Sequence, residues 1–223
     1  MHLTCIPENH NLNYWCLSNY HDLPVQYTHD QPLVKQYLDK LWSLIEQYKN
    51  RYPRVLAIRV DLHCFEPSPY LMASNNVMQN FRDALVSRIN AYQRRRRSQG
   101  KRCFECPVKI VWAREQKSSH VPHFHLLILL NHDLFYSLGN FQSGQGSLLA
   151  IIKGAWNSAL KIPQEVDLGL VHVPKNAEYR LKQNDQWCQL PDLFFRASYL
   201  CKVDTKCFGQ GIQSFGCSSI QRS

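Results

Sequence analysis

From Val55 onward the apolar residues change period in a fixed order, and that order restricts the possible folds more than any other property of the chain. Val55 to His63 alternates, with Leu56, Ile58, Val60 and Leu62 on one side and Arg59, Asp61 and His63 on the other. Val77, Phe81, Leu85, Ile89 and Tyr92 then step along one helical face. Val108 to Glu115 and His123 to Leu130 read as two strands joined by a short polar loop, and Leu148 to Leu160 reads as a helix. Asp167 to Val173 is a weaker fourth strand, and a helix runs from Asp192 to about Lys206 with Pro191 just ahead of it. Strand, helix, strand, strand, helix, strand is the split β-α-β arrangement, an α+β class. It predicts an antiparallel sheet with two helices on one face, while the last helix partly covers the other.

Ahead of this unit, residues 1–30 are polar and aromatic without clear period and read as an irregular arm. Val34, Leu38, Leu41, Ile45 and Tyr48 follow at helical spacing until Pro53. The expected organisation is an arm and helix over residues 1–50, a main domain over 51–210 and a tail over 211–223.

Two residues apart on a strand, side chains point the same way, so His123 and His125 share a face and form a ready pair of ligands for a divalent ion. A hairpin centred on Ser119 sets Glu115 opposite His123, on that same face. A one-residue slip would turn the carboxylate away. On the last helix, Phe195, Tyr199, Lys202 and Lys206 follow spacings of four, three and four and share a stripe.

The formal charge of +9 concentrates polyanions without saying which kind. Arg59, the run Arg94, Arg95, Arg96 and Arg97, then Lys117 and Lys206 are the candidate phosphate contacts. The arginine run also suits a helix C-terminus. No stretch approaches the roughly 18 apolar residues of a membrane span; the densest run, Leu126 to Leu130, is five long. Nine cysteines at irregular spacing, with no visible signal peptide, suit reduced cytosolic thiols, and Cys103 and Cys106 read as ordinary thiols rather than half of a zinc site.

An apolar strand, then Glu115 followed by His123-Phe124-His125, then Tyr199-Leu200-Cys201-Lys202 resembles the HUH endonuclease superfamily in its single-tyrosine replication-initiator branch. The fuller contexts, Trp112 to Glu115 through Asn131 and Arg196 to Lys202, are most similar to the inovirus-type replication proteins of bacterial prophages. The resemblance spans about residues 50–210 and includes nothing before them. It implies that His123, His125 and Glu115 hold Mg²⁺ or Mn²⁺, that Tyr199 attacks a phosphate of single-stranded origin DNA, and that Lys202 offsets the developing negative charge. It also implies a bacterial cytoplasm, with a host helicase and polymerase as partners, since the chain has no GxxxxGK[ST] loop of its own. One turn either side of Tyr199 stand Phe195, Arg196, Lys202 and Val203, so a second nucleophile is missing from that helix.

Two alternatives remain open on the residues alone. A transposase or relaxase would share the chemistry, and a relaxase would place its tyrosine near the N-terminus, which keeps Tyr14, Tyr20 and Tyr27 as candidates. A non-catalytic single-stranded nucleic-acid-binding module would instead stack bases on aromatic residues of an exposed sheet face.

Overall fold

A computed structural model describes residues 4–65, 75–116, 121–139, 146–164, 166–204, 206, 208 and 211–219. Five short strands come first: β1 (Cys5–Ile6), β2 (Asn9–Trp15), β3 (Asn19–Tyr20), β4 (Leu23–Pro24) and β5 (Leu33–Val34). Helix α1 (Lys35–Arg51) leads into β6 (Arg54–His63), α2 (Asn76–Ser98), β7 (Lys109–Glu115) and β8 (His123–Asn131). There follow α3 (Leu148–Leu160), β9 (Val171–His172), β10 (Glu178–Lys182), α4 (Leu190–Ser198), a 3-10 turn over Tyr199–Cys201, and β11 (Phe215–Cys217). The central sheet is ordered β10-β6-β8-β7-β11, with β9 also on β6, and every pairing is antiparallel. The chain is α+β, and its fourth, first, third and second sheet strands lie side by side in the split β-α-β order.

One face of the sheet carries Leu56, Ile58, Val60, Phe124, Leu126 and Ile128 against Phe81 and Leu85 of α2 and Ile152 and Trp156 of α3. Helix α3 starts where Ser147 Oγ accepts a hydrogen bond from the Ala150 amide at 3.1 Å, and ends at Lys161 with φ 60°. The indole Nε1 of the fully buried Trp156 donates to the His63 carbonyl at 2.8 Å, tying this core to the end of β6.

The opposite face is more fully covered than the sequence suggests. Val55, Ala57, Val111, Ala113, Leu127 and Leu129 pack against Leu38, Leu41 and Ile45 of α1 and Leu193, Phe194 and Ala197 of α4. The N-terminal segment is not an irregular arm: its short strands, with Ile6, Leu12, Tyr20 and Val25 buried, close over this same core. Leu126 to Leu130 is an unbroken apolar run because the strand is buried on both sides.

Three further boundaries differ. The fourth strand is split: β9 pairs only Asp61 and Leu62, and β10 takes over for Arg54 to Ile58. Between them Pro174 lacks an amide proton and Asn176 sits at φ 53°, so the ladder breaks. Helix α4 stops at Ser198 rather than continuing to Lys206, because the chain beyond it turns extended: Lys202 forms a bridge with Leu33, and the Val203 amide donates to the Pro32 carbonyl at 3.0 Å. Residues 215–217 are no tail; they form β11 on the edge of β7, where Gly216 lies so close to the Trp112 indole that a Cβ would collide with it.

Candidate active site

Strands β7 and β8 pair with Glu115 opposite His123, the register that the hairpin spacing predicts. His123 and His125 project from the face that also carries Val55 and Ala57, at the end where the helical cover stops. One ligand atom from each of Glu115, His123 and His125 lies within 4.8 Å of the other two. Glu115 Oε2 is 3.0 Å from His125 Nε2 and 3.7 Å from His123 Nε2. Its other oxygen, Oε1, is buried without a hydrogen bond among the described residues and faces the Lys206 ammonium at 3.8 Å. The two imidazole nitrogens and Glu115 Oε2 fit a divalent metal ion. Burial pushes the Glu115 carboxyl up, but the two histidines outweigh it and hold the group well below the usual carboxylate range.

Asp61, on β6 directly opposite His125, accepts from its Nδ1 at 2.6 Å. That bond leaves Nε2 turned towards Glu115, the arrangement that orients metal-bound histidines. Burial raises the Asp61 pKa, while the His125 hydrogen bond and the Arg59 guanidinium outweigh it, so the group is ionised. His125 itself is lowered by burial and raised more strongly by its two carboxylate neighbours. His63 stacks on His123 with ring centroids 5.9 Å apart, and His172 Nδ1 stands 3.5 Å from Asp61 Oδ2. Both are exposed and mark the open side of the site.

Tyr199, in the 3-10 turn that ends α4, points its hydroxyl at Glu115 Oε2 across 3.2 Å, with its ring edge-on to His125 at 5.1 Å. Burial, then the Glu115 charge, pushes its phenol up to about 12, so it is neutral near pH 7. Lys202 Nζ lies over the Tyr199 ring at 4.6 Å and donates to Gln31 Oε1 at 2.8 Å. The N-terminal segment grips this turn at further points: Ser198 Oγ accepts from the Gln26 amide at 2.8 Å, and Gln26 Nε2 donates to the Phe195 carbonyl at 3.1 Å.

With this geometry in place, comparison with known proteins gives a family. The model of the YagK/YfjJ C-terminal domain matches residues 18–218. The chain belongs to the YagK/YfjJ C-terminal domain family. "Uncharacterized protein YagK" of Escherichia coli (strain K12) is 36% identical over 202 residues, covering 84% of this chain and 94% of that protein. "Uncharacterized protein YfjJ" of the same strain is 29% identical over 198 residues, covering 83% and 94%. No solved structure matches. The YagK/YfjJ match takes in the whole site, from Gln31 to Lys206, and the N-terminal segment from β3 onward.

Several candidate phosphate contacts are elsewhere than expected. Arg59 is 3% exposed, donating to the carbonyls of Leu126 and Val60 and to Asp61 Oδ1, because α1 and α4 cover the face on which it lies; it supports Asp61 and does not reach solvent. Lys206 lies beyond the helix, its side chain fully buried, with Nζ 3.8 Å from Glu115 Oε1, so it is part of the site rather than of a surface grip. Arg94, Arg95, Arg96 and Arg97 occupy the C-terminal end of α2, over the opposite face of the sheet and at the end remote from His123, so none of the four reaches the cluster. Two of them turn back on their own helix: the guanidinium groups of Arg95 and Arg96 each lie 5.8 Å from the Tyr92 ring. Lys117 lies outside the described residues.

Of the N-terminal tyrosines, Tyr20 is buried with its hydroxyl on Asp39, and Tyr14 and Tyr27 pack against the core. Cys106 is buried, accepting from the Asn131 amide, and Cys103 is a free thiol beside Gln93. No described helix is long and apolar enough to cross a membrane.

Sequence reasoning places Asp61 and His63 on the site face without a role, and it misses His172. The cross-strand position of Asp61 relative to His125 is the available signal, once β6 is paired to β8.

Proposed function

We propose that this chain is a metal-dependent tyrosine endonuclease of the HUH type, which nicks and rejoins single-stranded DNA and so starts rolling-circle replication. The carrying observation is the Tyr199 hydroxyl 3.2 Å from a carboxylate oxygen of the Glu115-His123-His125 cluster, a phenol and a candidate metal centre within one hydrogen bond. A transposase or relaxase would use the same chemistry, but the N-terminal tyrosines pack into the core or, for Tyr20, onto Asp39, which favours Tyr199 as the nucleophile. The single-stranded binding module loses support because α1 and α4 cover the sheet face on which it would stack bases.

Glu115, His123 and His125 would hold Mg²⁺ or Mn²⁺, which when bound supplies Lewis-acid polarisation of the scissile phosphate. Tyr199 Oη attacks phosphorus, its bond to the 5′ phosphate forms as the P–O3′ bond breaks, and the phenolic proton is released. The product is a 5′-phosphotyrosine and a free 3′-OH, which a host polymerase would extend behind a host helicase in the bacterial cytoplasm. Because the phenol is held neutral, deprotonation needs nearby positive charge. Lys202 over the ring and Lys206 beside Glu115 supply it in a site where water is partly excluded. Asp61 and Glu115 would repel a phosphate by themselves, so the acidic side of the site fits a nucleic acid only with a cation between them.

The test is a covalent-adduct assay with purified protein, Mn²⁺ and single-stranded DNA from its own replicon. An SDS-resistant protein–DNA band lost with Tyr199→Phe and with EDTA is the expected result. A band that persists in Tyr199→Phe moves the nucleophile elsewhere, and no band on any origin fragment sinks the proposal.

A further inference from the structure

At the other end of the sheet, a cavity of about 840 Å³ opens between the start of β6, the segment after β8 and the turn after β10. Its size is within the roughly 300–1,000 Å³ of small-ligand sites. The strand β8 separates it from the cluster: from His123 to Asn131 is eight steps, about 26 Å at roughly 3.3 Å each. Nothing in the chemistry proposed for Tyr199 uses it.

Its lining has three properties that belong together. The first is aromatic. Tyr136 is 67% exposed and Phe104 stands beside it in the lining, with the Arg180 guanidinium 4.7 Å from the Tyr136 ring and that of Arg102 4.6 Å from the Phe104 ring. An aromatic ring left open to solvent and backed by a guanidinium is a platform on which a nucleobase stacks.

The second is a buried polar group without a partner. His132 lines the cavity, is 7% exposed, and its Nε2 has no hydrogen-bond partner among the described residues. Burial, then Arg54 and Arg180, lowers its pKa, so the ring is neutral and can donate to or accept from a base edge. The side-chain amides of Gln183 and Asn184 are in the same lining.

The third is charge. Arg54 and Lys182 outnumber Asp133, the carboxylate in the lining, which Arg54 engages at 2.5 Å, while Glu178 nearby is engaged by Arg180 at 2.9 Å and by the Leu138 amide. The arginine run at the end of α2 belongs to this end as well. Arg96 donates to the Arg102 carbonyl, and Tyr92, one turn before it, stacks on Phe135 next to Tyr136.

We infer that this cavity is a second nucleic-acid contact, which takes one unpaired nucleotide of a single strand: its base on Tyr136, its base edge at His132, its phosphate at Arg54 and Lys182. It rests on the reading of the chain as a single-stranded DNA enzyme only for the source of that nucleotide. A strand engaged at both places would span the length of β8 that lies between them.

Fluorescence anisotropy with a labelled single-stranded 25-mer in EDTA tests the cavity without the metal cluster. Tyr136→Ala, at an exposed position, is expected to bind about tenfold more weakly, as loss of one base stack does, with Tyr136→Phe close to wild type and both melting as wild type does. Lys182→Ala should flatten the salt dependence of binding. Equal affinity in Tyr136→Ala, or no binding by the wild-type chain, overturns the inference. So does a free mononucleotide that competes as well as the oligonucleotide, since the site would then serve a small ligand. Adduct formation with Mn²⁺ is scored separately, so a chain that binds through Tyr136 but forms no phosphotyrosine refutes the nuclease reading and leaves this one standing.

Discussion

The Asp61 carboxylate and the His125 imidazole meet across β6 and β8 at 2.6 Å, through Oδ1 and Nδ1. Arg59 braces Asp61 at 3.0 Å and is itself held by two main-chain carbonyls, so a buried arginine, an aspartate and a histidine form one line into the site.

Asp61→Asn should therefore lower the affinity for Mn²⁺ about 10- to 100-fold, the usual effect of losing a partner that orients a histidine ligand. Titration calorimetry or the spectrum of bound Mn²⁺ reads this without any substrate. Tyr199→Phe should leave the same affinity within about twofold, since the phenol only faces the cluster. An Asp61→Asn protein that binds Mn²⁺ like wild type would reduce the Arg59-Asp61 pair to a packing element.

Leu33→Ala should act at a distance. Leu33 is fully buried and pairs with Lys202 in the bridge that ends the tyrosine's turn. The cavity should cost about 2–5 kcal/mol by urea denaturation. If the bridge positions Tyr199, the adduct yield at a temperature where the variant is folded should also fall. Lost stability with unchanged yield would show that the turn holds itself.

Trp156→Ala should cost about 3–5 kcal/mol, at the upper end because the cavity also strips the His63 carbonyl of its donor. Trp156→Phe should recover most of the packing and none of that hydrogen bond. Thermal melts of the two variants side by side separate the contributions.

Thiol chemistry should follow burial. Cys5, Cys16 and Cys188 are exposed, whereas burial pushes Cys64 and Cys106 up to about 12. At pH 8 a disulfide reagent should label the exposed set at once and reach Cys64 and Cys106 only on unfolding. Their raised folded-state pKa values favour the neutral thiol, so that contribution is whole below the unfolded value of about 8.5 and lost as pH rises towards 12. The urea midpoint should hold to about pH 8.5 and then decline. Rapid labelling of every cysteine in the folded chain would contradict the packing described for both cores.

The central sheet was legible because its strands announce themselves by period: β6, β7, β8, α2 and α3 fall within a residue or two of where the apolar spacing predicts them. The Glu115-His123-His125 set followed from the hairpin alone, since one register decides three side chains. What escaped were relations set by distant segments. Arg59 reads as a surface cation until α1 is packed over it, and no local pattern in residues 1–30 says that they will close the same face. Arg95 and its neighbours read equally as a grip on phosphates or as a complement to a helix C-terminus, and only the sheet order shows that α2 ends over the other face. Lys206 reads as the next turn of a helix, and the break after Ser198 comes from pairing with Pro32 and Leu33, some 170 positions earlier. The apolar Leu127 and Leu129 were the missed hint. They lie on the face of His125 and would not be there if that face met water.

The grip of residues 26–33 on residues 195–203 has a consequence in time. During synthesis the strands that carry Glu115, His123 and His125 emerge well before the turn that carries Tyr199, and that turn then has to find a partner made long before it. On a ribosome-bound chain the residues of the cluster are therefore all made before the phenol that faces them, and Lys206 and β11 are made after it.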